Sequence, residues 1–192
     1  MYIKPIKGVT ILAATKGRTI KEISQAVAAG IFVIGENQTQ ELLNKLPDLP
    51  KKIRIDFIGH LQTNKVKDVI KHCFLIHSVD SLRLAQAIDK QAKKIGKIQN
   101  ILLEINVSGE KTKYGFNPEE LISAVGKILK MKNLQLQGLM TMAPHTEDEK
   151  LIRLAFQNLR TIKEKAAKNF KETPNVTMKF LSVGRFFFHG SS

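Results

Sequence analysis

Tryptophan is absent from the 192 residues, and there is one cysteine, Cys73. A lone cysteine excludes a disulfide framework and a cysteine-based metal cluster. The five histidines, His60, His72, His77, His145 and His189, include no His-x-x-x-His pair, so no zinc signature is present either. No apolar run approaches the roughly 18 residues of a membrane span. Acidic residues are scarce, 17 against 31 basic ones, for a formal charge of +14. That excess alone would suggest nucleic acid, but zinc-finger spacing, an aromatic RNP-type strand and a basic tail are all missing. The lysines are spread along helical patterns, as at Lys90, Lys93 and Lys94 or Lys163, Lys165 and Lys168. Neither a nucleic acid nor a membrane is therefore expected as a partner, and the positive field suits small anions. A basic N-terminus precedes an apolar stretch, 9–14, which is shorter than the roughly seven to fifteen residues of a signal peptide core and is broken by Lys16 and Arg18. It reads as a strand, and with the single cysteine it leads to the expectation of a cytoplasmic protein.

What is present is a core-forming composition, 43% hydrophobic, ordered as an alternation. Short apolar, β-branched runs at 9–15, 31–34, 53–58, 73–77, 98–107, 134–141 and 176–181 predict strands. Helical spacing predicts helices over 20–29, 39–46, 64–71, 81–95, 117–131 and 147–169, with Gly30 a stop signal, Ser81 an N-cap and Pro118 at a first helical position. Seven strand spans joined by six helices fall one unit short of an eight-fold barrel, and the alternation predicts a parallel sheet with right-handed crossovers, wound as a β/α TIM-type barrel that is incomplete at its C-terminal end. The chain is slightly shorter than the roughly 200 residues usual for that fold. No linker or low-complexity tract divides it, so residues 1–184 are expected to form one barrel domain, with 185–192 a divergent tail.

Chemistry in such barrels sits at the C-terminal ends of the strands, and there polar residues and glycines collect. Lys16 ends the first strand. Pointed into a partly dry barrel mouth, it would have an amine free to attack an aldehyde; the alternative, which periodicity alone favours, is a strand-end lysine reaching out to solvent. His60 is a candidate proton shuttle or ring contact, or simply a hydrogen-bonded neighbour. Ser182 and Gly184 follow the last strand and offer a hydroxyl and backbone N–H groups to a phosphate, or form an ordinary turn. Glu36 and Asp80 are candidate acid–base groups, with loop hydrogen bonding the simpler role.

Several of these strand ends carry extended motifs. Ala14-Thr15-Lys16, Ile34-Gly35-Glu36-Asn37, Phe57-Ile58-Gly59-His60-Leu61-Gln62-Thr63-Asn64-Lys65, His77-Ser78-Val79-Asp80-Ser81, Ile105-Asn106-Val107-Ser108-Gly109-Glu110 and Gly138-Leu139-Met140-Thr141-Met142-Ala143-Pro144 occur in that order. Together they resemble the pyridoxal phosphate homeostasis protein family over residues 9–184. The resemblance implies a barrel like the N-terminal domain of alanine racemase. It implies pyridoxal 5′-phosphate as cofactor, held by Lys16 as an aldimine, with Asn37, His60, Met140, Ser182 and Gly184 shaping the pocket. It further implies a monomeric protein that holds the cofactor and releases it by transimination to acceptors such as apo-enzymes, without enzymatic turnover. A racemase-like enzyme is the main alternative, but no second base opposite the lysine is identifiable in the sequence.

Two departures from the family pattern stand out. The helix that usually precedes the first strand is missing, and after Gly184 the family's further helix, Gly-Ser-Thr turn and Val-Arg-Ile-Gly strand do not appear. Phe186 stands where the family has a second serine, and neither Arg185 nor Ser191 replaces the arginine expected near the pyridine nitrogen. Residues 176–181 then become the seventh barrel strand with no eighth, and 185–192 read as the product of a shifted frame or an early end. An inactive, shortened family member is the corresponding alternative.

Overall fold

The computed structural model describes residues 7–107, 114–144, 146–171 and 173–184. Strands and helices alternate: β1 (Leu12–Ala14), α1 (Ile20–Ala28), β2 (Val33–Glu36), α2 (Thr39–Lys45), β3 (Arg54–Phe57), α3 (Val66–Val69), β4 (Leu75–Val79), α4 (Leu82–Lys94), β5 (Gln99–Glu104), α5 (Leu121–Ile128), β6 (Leu134–Met142), α6 (Glu149–Asn169) and β7 (Val176–Gly184). The described residues thus hold seven strands and six helices, matching the number of spans named from the sequence. Each of the seven strand spans named from the sequence overlaps one strand, and an eighth is not found among the described residues. The expected tail 185–192 lies outside them, as does the 108–113 part of the motif after β5.

All neighbours pair in parallel, in the order β1-β2-β3-β4-β5-β6-β7. Among the described residues no ladder joins β7 to β1. The sheet is nonetheless strongly curled. In a flat sheet β4 and β7 would lie about 14 Å apart, three spacings of roughly 4.8 Å. Yet His77 on β4 and Ser182 on β7 approach to 2.8 Å, Nδ1 to Oγ.

The curl separates two apolar layers. The outward face, with Phe57, Ile76, Ile101, Leu103, Leu136 and Leu139, packs on the buried sides of α3 to α6 and forms the main core. The inward face holds a smaller cluster, Leu75, Leu102 and Met140, backed by Met142 and Phe180. Helix starts follow the sequence signals where a cap side chain is present. Thr19 and Glu22 form a capping box on α1, and the Ser81 hydroxyl accepts the Leu84 N–H at the start of α4. Pro118 opens a 3₁₀ turn, Pro118–Glu120, and α5 proper begins at Leu121, three residues beyond that proline. The span 64–71 shrinks to a 3₁₀ turn, Thr63–Lys65, followed by the single turn α3.

Two strands sit later in the sequence than expected, and the shifts move functional residues. β2 begins at Val33 rather than Ile31 and runs on through Glu36, because Glu36 finds a buried partner on α2. β4 begins at Leu75 and runs to Val79, so His77 is inside the strand and not at its end.

Candidate functional site

The C-terminal end of β1 is built around a buried charge. Glu36 is fully buried on the outward face of β2, beneath α2. Lys45, the last residue of α2, points its ammonium into that site. It donates to Glu36 Oε1 at 3.0 Å, to Glu41 Oε1 at 2.7 Å and to the Thr15 carbonyl at 2.6 Å. The Thr15 hydroxyl adds a bond to Glu36 Oε1 at 2.6 Å. Burial works against the charge on Lys45, but its hydrogen bonds to Glu41 and Glu36 outweigh that and hold its pKa above the ordinary lysine value. Burial likewise opposes ionisation of Glu41. Hydrogen bonds from Lys45 and the Gly17 N–H, with the nearby charges of Lys45 and Lys16, prevail and hold its carboxyl below the usual range. Glu36 is therefore a structural anchor beneath α2 and not an acid–base group in the mouth.

Lys16 follows Thr15 and is exposed. The partly dry setting expected of it is not present. It forms no ion pair among the described residues, and the nearby Glu36 and Glu41 are both paired with Lys45. The paired Ala14 and Gly35 end the ladder between β1 and β2, and Lys16 lies in the turn that follows β1 while Asn37 follows β2. Asn37 in turn touches the end of β3. A Cβ added to Gly59 would lie 2.0 Å from the Asn37 carbonyl oxygen, so only glycine lets the β2 and β3 ends approach this closely.

His60 comes next. Its Nδ1 lies 3.1 Å from Asp80 Oδ2, and its ring stacks on Tyr114 at 4.0 Å between centroids and 20° between planes. Two clefts meet at this histidine. One of about 590 Å³ runs over Gln62, Asp80, Arg83 and Tyr114; one of about 320 Å³ runs over Asn37, Thr39, Gln62 and Lys65. Lys16, Met140 and Ser182 line neither.

Deeper on the inward face, register sets Met140 beside both Glu104 and Ser182, and Met142 beside Gly184. Met140 is buried within the inward cluster. Burial, helped by the charge of Asp80, raises the Glu104 pKa to about 7. Ser182 is tied to His77, His77 Nε2 lies 3.1 Å from Asp56 Oδ2, and Arg54 grips Asp56 through two bonds of 3.0 and 2.6 Å. The fold thus brings Asn37 and His60 to one cleft and Met140 beside Ser182, sets Gly184 beside Met142, and leaves Lys16 in the turn after β1.

Sequence reasoning missed Lys45, Glu104, Tyr114 and the Arg54–Asp56–His77 chain. Two of these left a trace. Glu41 and Lys45 stand at i and i+4 on α2, and Arg54 and Asp56 stand two apart on β3, on one face. Among the described residues no group of acidic, histidine or cysteine side chains is placed to hold a metal ion, and no helix is long and apolar enough to cross a membrane.

Comparison with known proteins places this architecture. Residues 8–180 match the family model described as the alanine racemase N-terminal domain. A pyridoxal phosphate homeostasis protein of Aquifex aeolicus is 38% identical over 176 residues, 91% of this chain and 75% of that protein. One of Pseudomonas aeruginosa is 36% identical over 157 residues, 80% of this chain and 67% of that protein. Among solved structures, PipY of Synechococcus elongatus PCC7942 with PLP bound is 26% identical with a TM-score of 0.80, covering 95% of this chain and 92% of PipY. An alanine racemase of Clostridium difficile shares the fold at 16% identity and a TM-score of 0.75, over 93% of this chain and 47% of the racemase. The chain belongs to the pyridoxal phosphate homeostasis protein family, whose barrel is of the alanine racemase N-terminal type.

Proposed function

We propose that this chain is a carrier of pyridoxal 5′-phosphate, holding it at the C-terminal ends of its strands with Lys16 as the point of covalent attachment. The observation that carries the reading is the division of labour between two lysines. Lys45 is buried, bound to three oxygens and held in the charged form, and a protonated amine is no nucleophile. Lys16, one residue beyond the carbonyl that Lys45 holds, is exposed and makes no ion pair with the described residues.

The remaining residues fit the cofactor's parts. The Ser182 hydroxyl and the β7 end at Gly184 suit a phosphate, and the inward cluster around Met140 gives an apolar bed for a ring. Asn37 and His60 line the smaller cleft at the ends of β2 and β3. Lys16 would hold the cofactor through its amine, and the group would supply reversible amine–aldehyde chemistry by which another amine could take it up. A reversible link on an exposed lysine suits storage and delivery to apo-enzymes rather than turnover, and a monomer in the cytoplasm is the simplest setting for it. The relatives' name and the bound state of PipY support the same cofactor.

The test is spectroscopic. Purified protein given pyridoxal phosphate should gain a visible absorption band that borohydride removes, and Lys16→Ala should not gain it. A wild type that stays colourless and takes up no cofactor overturns the reading, and stereochemical turnover of an added amino acid would replace the carrier with a racemase-like enzyme.

A further inference from the structure

The hydrogen-bonded chain across the inward face contains a conflict that the carrier role must resolve. Arg54 Nε and Nη2 hold the two oxygens of Asp56, a fully buried carboxylate. His77, 5% exposed, places Nε2 against that carboxylate at 3.1 Å, so Nε2 carries a proton and donates it. In the neutral ring Nδ1 then has none and must accept, and its partner at 2.8 Å is the Ser182 hydroxyl. The only proton of Ser182 is spent inward. Toward the barrel mouth the serine offers lone pairs, and a phosphate also brings lone pairs. A single proton from solvent on Nδ1 reverses the arrangement. Nδ1–H then donates to Ser182 Oγ, the serine O–H turns to the anion, and Asp56 faces the new imidazolium charge.

We propose that phosphate binding at Ser182 is coupled to uptake of one proton by His77, which acts as a positioning residue with Asp56 and Arg54 behind it. The inference rests on the reading of Ser182 as part of the phosphate end. Other charged groups surround the ring. On β3 these are Arg54 and Asp56. On β5 the inward group is Glu104, two residues beyond Leu102 on the same face, and Asp80 follows β4 itself. β6 presents the uncharged Met140. Glu104 changes charge in the same range as a histidine, so the measurement is made on a Glu104→Gln background.

In that background the affinity for pyridoxal phosphate, divided by that for phosphate-free pyridoxal, is followed from pH 5.5 to 8.5, with and without His77→Asn. The ratio cancels the amine–aldehyde chemistry, and the comparison of variants cancels the ionisation of the phosphate itself. With His77 present the ratio should fall about tenfold more per pH unit, once the ring is neutral, than in the His77→Asn variant, the signature of one linked proton. Equal slopes overturn the coupling. A second measurement needs no variant to fold. The ring nitrogens of ¹⁵N-histidine-labelled wild type are read by NMR, with inorganic phosphate as the probe. His77 should pass from protonation on Nε2 alone to protonation on both nitrogens as phosphate saturates at fixed pH. A ring that stays neutral with phosphate bound overturns the coupling. Should phosphate protonate His77 while pyridoxal phosphate gives no visible band, the coupling stands and the carrier reading falls; should neither ligand bind, both fall.

Discussion

Replacing Lys45 by methionine tests the view that the end of β1 is organised by a buried charge rather than by strand propensity. The substitution keeps length and apolar stem and removes the ammonium, leaving the Glu36 carboxylate at 0% exposure without its counter-charge. Loss of one partner from a buried ion pair costs about 3–5 kcal/mol, because the remaining charge stays desolvated. For a chain of this size each kcal/mol lowers Tm by roughly 2–4 °C, so a fall of about 6–20 °C is expected. Glu41 adds little to this, since its side chain is 22% exposed and water replaces part of what Lys45 supplies. The discriminating variant is the double one, Lys45→Met with Glu36→Gln. Glutamine keeps an acceptor for the Thr15 hydroxyl and carries no charge, so the pair should recover more than about 1 kcal/mol relative to the sum of the single changes. Thermal and urea melts followed by circular dichroism supply the cycle. The site supplies a second readout: Lys45 holds the Thr15 carbonyl at 2.6 Å, immediately before Lys16, so Lys45→Met should also weaken cofactor uptake. A single-variant loss below about 1 kcal/mol, or strict additivity in the double, would refute the reasoning.

Glu104 gives a pH signature of opposite sign to the usual carboxylate. Its pKa is raised from 4.5 to about 7, so the folded state keeps the proton longer; its contribution is fully present below about pH 4.5 and is lost as pH rises to about 7. Glu104→Gln should therefore stabilise the protein by about 1–3 kcal/mol at pH 8 and by nothing at pH 4, in melts at the two values; equal effects at both refute it. Gly59→Ala should cost about 1–3 kcal/mol or more, since its Cβ would meet the Asn37 backbone at 2.0 Å, whereas Gly184→Ala meets only the flexible Met142 side chain and should cost less. Melts that rank the two the other way would show that the β2 and β3 ends separate easily.

The fold was legible because its signals are local. Apolar runs of four to ten residues, with stop and cap signals such as Gly30 and Ser81 between them, give the β/α alternation directly. The boundaries differ where a distant partner decides them. Ile31 and Phe32 look like the start of β2 by composition, yet Phe32 is exposed at 50%, and the strand instead runs on to an acidic residue. Burying Glu36 in a strand makes sense only once Lys45, nine positions on, arrives from α2. His77 reads as a strand end for the same reason. Its partners Asp56 and Ser182 lie 21 and 105 residues away, and no periodicity reports them.

The two lysines show why motif and structure are needed together. By periodicity Lys16 is a strand-end lysine reaching for solvent, and it is indeed exposed. Exposure by itself argues for nothing. What singles the residue out is competition for carboxylates: Glu36 and Glu41 both lie beside the end of β1, and both are bound to Lys45. Without Lys45, Glu41 would be open to pair with Lys16, whose charge it already feels. Lys45 takes one oxygen of each carboxylate, and Lys16 forms no ion pair with the described residues. The same buried ammonium fixes the carbonyl that precedes Lys16. The anchor of the backbone just before Lys16 thus belongs to the helix layer rather than to the barrel mouth.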